Sequence, residues 1–137
     1  MAQPSTIYKP GKLNYVWNYL GTTLKEFKAK LLGYRTYTAI ISQSGTSDPV
    51  AIVLENTLGQ DIAWNRTFTG QYQASSTGLF TYSKTTINSS QTDNANQGIT
   101  ATYCDTSNTL VVATFDYAGL PQDGVLSESL IEIRVYN

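Results

Sequence analysis

The apolar residues of this chain change their spacing at Gly33, and this change divides the sequence into two parts. After Gly33, apolar and polar residues alternate, and β-branched and aromatic residues dominate the apolar runs. Before Gly33, apolar residues recur at intervals of three and four, which aligns them along one face of an α-helix: Leu13, Trp17, Leu20, Leu24, Phe27 and Leu31. The sequence therefore predicts a helical N-terminal arm (residues 1–33) and a β-rich body (residues 34–137).

The first part of the arm contains residues that interrupt regular structure. Pro4 and the pair Pro10-Gly11 favour an extended chain as far as residue 11. A helical segment is predicted from Leu13 to Leu20. Gly21 then lies in the apolar stripe, where a glycine costs on the order of 1 kcal/mol relative to alanine, so a break in the helix is expected there.

A second helical segment is predicted from Leu24 to Leu32. Thr23 and Glu26 have the spacing of a capping box, in which the two side chains bind free N–H groups at a helix start. Gly33 stands where a left-handed glycine commonly ends a helix.

Turn residues at intervals near ten residues predict about eight strands in the body. Because no helical pattern lies between these strands, the body is predicted to be an antiparallel β-sandwich or jelly roll. The polar stretch 88–97 is predicted to be a loop. The predicted strands cover residues 34–42, 50–56, 61–68, 70–74, 79–87 (with a possible break), 98–104, 110–117 and 126–136.

Several kinds of catalytic chemistry are excluded by composition. The chain has no histidine and one cysteine, Cys104, which rules out imidazole-based catalysis, histidine-bound metals and a disulfide within the chain. Asp93-Asn94-Ala95-Asn96 lacks the alternation of a calcium loop and is interpreted as a turn. We therefore expect no metal, no cofactor and no enzymatic activity.

A pair of carboxylates is the enzyme hypothesis that remains. No spacing selects two acids, and Glu128 with Glu132 lie on one face of the same predicted strand, which is typical of a solvated face. The acids of the body that we considered are Glu55, Asp61, Asp93, Asp105, Asp116, Asp123, Glu128 and Glu132.

Aromatic residues of the body allow two interpretations. Their alternation fits packing in a core or between subunits, but flat aromatic faces also bind sugars or exposed bases. In the second case we expect Trp64 and Tyr72 to contact the ligand, which would make the body a carbohydrate-binding β-sandwich. The aromatic residues concerned are Trp64, Phe68, Tyr72, Phe80 and Tyr82.

Charge and hydropathy indicate which partners to expect. The net charge of −1 gives the whole chain no electrostatic footprint for nucleic acid or anionic membranes, although most basic residues lie in the arm. No apolar run is long enough to span a bilayer, and no signal-type segment follows the N-terminus, so synthesis in a cytoplasm is expected.

The apolar stripe of the arm requires a partner, because a short isolated helix cannot keep such a face out of water. Three partners are possible: the β-body of the same chain, the same stripe in sister chains, or a groove on another protein. Between the last two, an interrupted heptad pattern followed by a β-rich head favours sister chains.

An extended arm, a short helical stem and a Thr/Ser/Asn/Gln/Tyr-rich β-body together resemble small virion structural proteins of bacteriophages, of the head-fibre, spike or capsid-decoration type. This resemblance implies a homo-oligomer, commonly a trimer, that docks on other virion proteins through its N-terminal region and displays its body, with a host-surface glycan as a possible further partner. The stripe residues match the stem by pattern, whereas Gly21 departs from a continuous coiled coil.

Overall fold

The computed structural model describes the backbone of residues 10–90 and 99–137, and their side chains except those of residues 10–16, 99 and 101. The chain forms two compact units, Met1–Gly33 and Tyr34–Asn137. The predicted turn at 93–96 and residues 91–97 of the predicted loop lie outside the described residues, whereas residues 88–90 of that predicted loop belong to a strand.

The arm contains one continuous helix, α1 (Pro10–Leu32), so the expected break at Gly21 and the extended chain at residues 10–11 were wrong. Pro10 is compatible with the first helical position because its missing N–H has no partner within the helix there. Gly33 has a φ of 74° and donates its N–H to the Ala29 carbonyl at 3.0 Å, which confirms the predicted helix end.

The predicted capping box at Thr23 was also wrong. The Thr22 hydroxyl donates to the Asn18 carbonyl at 3.0 Å and the Thr23 hydroxyl to the Tyr19 carbonyl at 2.9 Å. These bonds to the carbonyl four residues earlier are the way a threonine satisfies its hydroxyl inside a helix. Both threonines therefore lie within α1 and not at its start.

The body is an antiparallel β-sandwich, as predicted. Its first sheet has the strand order β2-β1-β8-β5, and its second sheet has the order β3-β4-β7-β6. The strands are β1 (Tyr34–Ser42), β2 (Val50–Asn56), β3 (Ala63–Phe68), β4 (Gln71–Ser75), β5 (Thr85–Ser90), β6 (Ile99–Cys104), β7 (Thr109–Phe115) and β8 (Ser129–Tyr136).

The core lies between the two sheets and is formed by alternate residues of the central strands. In β8, Ile131, Ile133 and Val135 are buried, whereas the residues between them are partly exposed. Trp64 of the second sheet donates its indole N–H to the Tyr37 hydroxyl of the first sheet at 3.2 Å, so the largest core side chains also join the sheets. The other buried core residues include Ala39, Ile41, Leu58, Tyr72, Ala74, Leu79, Phe80, Leu110, Val112 and Leu126.

The segment before β5 differs from its prediction. Leu79 and Phe80 are both buried, but they enter the core from a turn segment, and the strand begins only at Thr85. The Phe80 N–H bonds to the Ser107 carbonyl at 2.9 Å, which fixes this segment against the turn before β7. Two adjacent buried side chains cannot both face the core from a regular strand, because successive residues of a strand point to opposite faces.

Candidate functional site

The arm presents a stripe of apolar side chains, here called the arm stripe: Trp17, Leu20, Leu24, Phe27 and Leu31. When the helix is considered by itself, these side chains are 44% to 74% exposed. Their spacing places them on one face along most of the length of α1. Leu13 continues the same spacing, but its side chain lies outside those described. The structure thus brings the predicted docking residues onto one continuous helix.

A second apolar surface lies on β2, and the sequence did not predict its role. Val50, Ile52, Val53 and Leu54 are 51% to 67% exposed, although together with Ala51 they form an uninterrupted apolar run. Among the described strands, β2 pairs only with β1 and is therefore an edge strand of the first sheet. Exposed apolar edge strands are prone to pair with another chain.

The apolar surface of β2 extends across the outer face of the first sheet. Ile52 lies opposite Ile40 of β1, and Ile40 lies opposite Leu130 of β8. Ile40 and Leu130 are partly exposed and point away from the core. These three side chains form a row across three strands, which we call the outer row.

A polar clasp centred on Asp123 closes one end of the sandwich. Arg66 donates two hydrogen bonds to the Asp123 carboxylate, from Nε at 3.0 Å and from Nη2 at 2.8 Å. The Gly70 N–H donates a third, at 2.9 Å. The bond from Arg66 and the bond from Gly70 lower the pKa of Asp123 to about 2 against the opposing effect of burial.

Tyr72 and Gln43 continue the clasp between the two sheets. The Tyr72 hydroxyl lies 2.9 Å from Gln43 Oε1 and 3.1 Å from Asp123 Oδ1. Burial raises the pKa of Tyr72 to about 12, so its hydroxyl keeps its proton across the ordinary pH range. Gln43 in turn donates to the Gly45 and Ser47 carbonyls at 2.7 and 3.1 Å and accepts the Gly124 N–H at 2.6 Å.

An open cleft of about 670 Å³ lies beside this clasp. It is lined by the loop after β1 and by residues 122–127, which supply serines, Gln43 and Asp123. The Gln43 amide and the Asp123 carboxylate already hold several protein partners. The clasp therefore has a structural role between loops. Its carboxylate and amide groups already form hydrogen bonds within the chain.

No family model, curated protein or solved structure matches the chain.

The predicted ligand contacts at Trp64 and Tyr72 were wrong. Trp64 is 8% exposed and Tyr72 is 0% exposed, and both pack between the sheets with their polar atoms bonded to Tyr37 and Gln43. A ring in this position cannot stack on a sugar. Phe68 and Tyr82 are exposed, and Phe80 belongs to the core.

Three of the acids considered from the sequence have defined positions or contacts. Glu128 precedes β8, with a φ of 46°, so it does not share a strand face with Glu132 as predicted. Glu132 Oε1 lies 2.7 Å from Arg134 Nε. Asp116 accepts the Ala118 and Leu120 N–H groups within its own turn.

Three further observations concern the described residues alone. No group of three or more His, Cys, Asp or Glu side chains is arranged there to hold a metal ion. None of the described helical structure has the length and apolar content that crossing a bilayer requires. Cys104 is partly buried, and burial with the nearby Asp105 raises the pKa of its thiol.

Proposed function

We propose that this chain is a non-enzymatic structural subunit of a virion, made in the host cytoplasm, which assembles with sister chains through α1 and displays its β-sandwich. The observation that carries the proposal is the exposed arm stripe. Burying a large apolar side chain contributes roughly 1.5–3 kcal/mol, so five of them can stabilise an oligomer.

The spacing of the arm stripe supports sister chains as the partner. Intervals of three and four residues are those at which helices of a coiled coil interlock their side chains. The helix runs through Gly21 without a break, which supports a stem along most of the arm. A trimer in which three α1 helices pack side by side, with further contacts to other virion proteins, is the assembly proposed.

Light scattering tests this proposal, because it gives the mass of the particle in solution. The monomer mass is 15.0 kDa, and we expect deletion of residues 1–33 to lower the mass of the particle about threefold beyond the mass of the deleted residues, whatever contacts the body makes. A monomeric full chain would overturn assembly through the arm.

A matched pair of variants separates the arm stripe from the rest of the helix. Leu24→Gln with Phe27→Gln removes two stripe side chains but keeps good helix formers, so assembly through the arm should be lost. Lys25→Gln with Glu26→Gln changes two neighbouring exposed positions and leaves the net charge unchanged, so the oligomer should persist. Equal behaviour of the two variants would contradict the role of the stripe.

A further inference from the structure

The open edge of β2 is the strongest unassigned feature of the body. β2 hydrogen-bonds to β1 on one side, so alternate N–H and C=O groups on its other side have no strand partner among the described residues. β5, at the opposite edge of the same sheet, reads Thr-Thr-Ile-Asn-Ser-Ser and is mostly polar. β3, an edge of the second sheet, carries Arg66 and a register shift. The apolar run thus distinguishes β2 from these two edges.

The length of β2 that can accept another strand is limited at both ends. Pro49 precedes the strand and has no N–H to donate. The register with β1 shifts between Thr38 and Ala39, which leaves Leu54 as an extra residue in β2. A regular pairing is therefore centred near Ile52.

We propose that β2 pairs antiparallel with β2 of a second copy of this chain, about a two-fold axis at Ile52. In this register Ile52 faces its own counterpart, Ala51 faces Val53, and Val50 lies next to the bulged Leu54. Every pair within the strand is apolar. If the register shifted by one residue, the outer face of one copy would continue into the core-facing side of the other copy. Part of the apolar surface would then remain exposed.

The outer row explains why a second copy fits this edge better than an unrelated strand. Around the two-fold axis, the row of Ile52, Ile40 and Leu130 continues into the same three residues of the second copy, which makes one apolar row across a continuous eight-stranded sheet. Glu55 faces Pro49 in this register, so no acid lies directly opposite an acid. The surface is thus complementary to itself.

Disulfide trapping in the full chain tests the register. In a Cys104→Ser background, Ile52→Cys places two thiols at the axis, where opposed Cα atoms of paired strands lie about 4.5–5.5 Å apart, a separation that a disulfide spans. Val50→Cys is the matched control: it has the same strand, face and exposure, but its two copies lie about 13 Å apart along the strands. We expect Ile52→Cys to form covalent dimers at least about tenfold faster under mild oxidation.

A second pair of variants tests the contact without cysteine. Ile52→Lys should lower the mass of the particle, because a charged edge residue prevents strand pairing, whereas Asn88→Lys on the opposite edge of the same sheet should not. Circular dichroism of both variants would confirm that the sandwich is folded. Equal trapping rates at positions 50 and 52, or an unchanged mass for Ile52→Lys, would overturn the proposal.

This contact is independent of the proposed assembly through the arm, and the experiments keep the two apart. Trapping at Ile52→Cys should persist when Leu24→Gln and Phe27→Gln are added, because the edge contact uses body residues alone. Loss of trapping in that combined variant would show that β2 pairing depends on the arm, and would overturn an independent contact.

Discussion

Gly70 occupies a backbone position that other residues cannot adopt without strain. Its φ is 64°, and a Cβ at this position would meet the Thr114 carbonyl and lie 2.5 Å from the Gln122 N. The left-handed conformation costs roughly 1–2 kcal/mol for a residue with a Cβ, and overpacking adds about 1–3 kcal/mol. We expect Gly70→Ala to lower the free energy of unfolding by about 2–5 kcal/mol, measured by urea denaturation.

Gly78 is the control for this substitution. Its φ is 62°, but an added Cβ would have no heavy atom within 4 Å. Gly78→Ala should therefore show only the conformational cost of about 1–2 kcal/mol. Equal losses at the two positions would contradict the close approach of the Thr114 and Gln122 backbone to Gly70.

Asp123 should make the stability of the body depend on pH in the acid range. Its folded-state pKa of about 2 lies below its ordinary value of 3.8. The stability that this carboxylate contributes is thus complete above pH 4 and is lost as the pH falls toward 2. We expect Asp123→Asn to cost about 1–3 kcal/mol at pH 7, because Arg66 and Gly70 lose a charged acceptor, and clearly less at pH 2.

The measurement is urea unfolding of residues 34–137 at pH 7 and at pH 2, followed by the fluorescence of Trp64, which is the one tryptophan in that segment. Asp61→Asn is the control, since Asp61 is an exposed acid outside the clasp. A difference between wild type and Asp123→Asn that stayed constant from pH 7 to pH 2 would show that the carboxylate charge does not hold the clasp.

At the scale of the elements, the helix of the arm carries a residue that weakens it. Gly21 lies in the interior of α1, with no heavy atom within 4 Å of an added Cβ. Gly21→Ala should stabilise the helix by about 0.5–1 kcal/mol. When the full-length variant is diluted, its helical circular dichroism signal should then decrease less than that of the wild type.

Gly33→Ala provides the contrast within the same helix. Gly33 has a φ of 74° at the helix end, where alanine is strained, so this substitution should decrease the helical signal. A decrease for Gly21→Ala as well would indicate that two arms approach closely at Gly21, as small residues permit.

Strand positions were predictable where the local pattern and the tertiary environment agree. β1 and β2 begin and end at the residues predicted, because β-branched runs are bounded there by turn residues. The helix was harder, since proline and glycine signals at residues 10, 11 and 21 indicated breaks, whereas the backbone continues as α1. Propensity is a weak term that a continuous helical pattern overrides.

The candidate sites depend on strand order, which the sequence pattern does not report. The run Val50–Leu54 lacks alternation, and this was the available signal for an unusual strand, but such a run fits a buried strand equally well. Only the sheet order places β2 at an edge. Asp123 and Arg66 are 57 residues apart in sequence, so no local pattern could connect them.

At the scale of the whole molecule, the core cluster among the described side chains consists of body residues between Tyr37 and Val135. We therefore expect residues 34–137 to fold without the arm. Because Trp17 is removed with the arm, the fluorescence of this shortened chain reports on Trp64 alone, whose burial predicts blue-shifted emission. Thermal unfolding should be cooperative, with a midpoint within a few degrees of that of the body in the full chain. Red-shifted emission or a gradual transition would show that the arm contributes to the core, and would leave fewer apolar side chains for assembly.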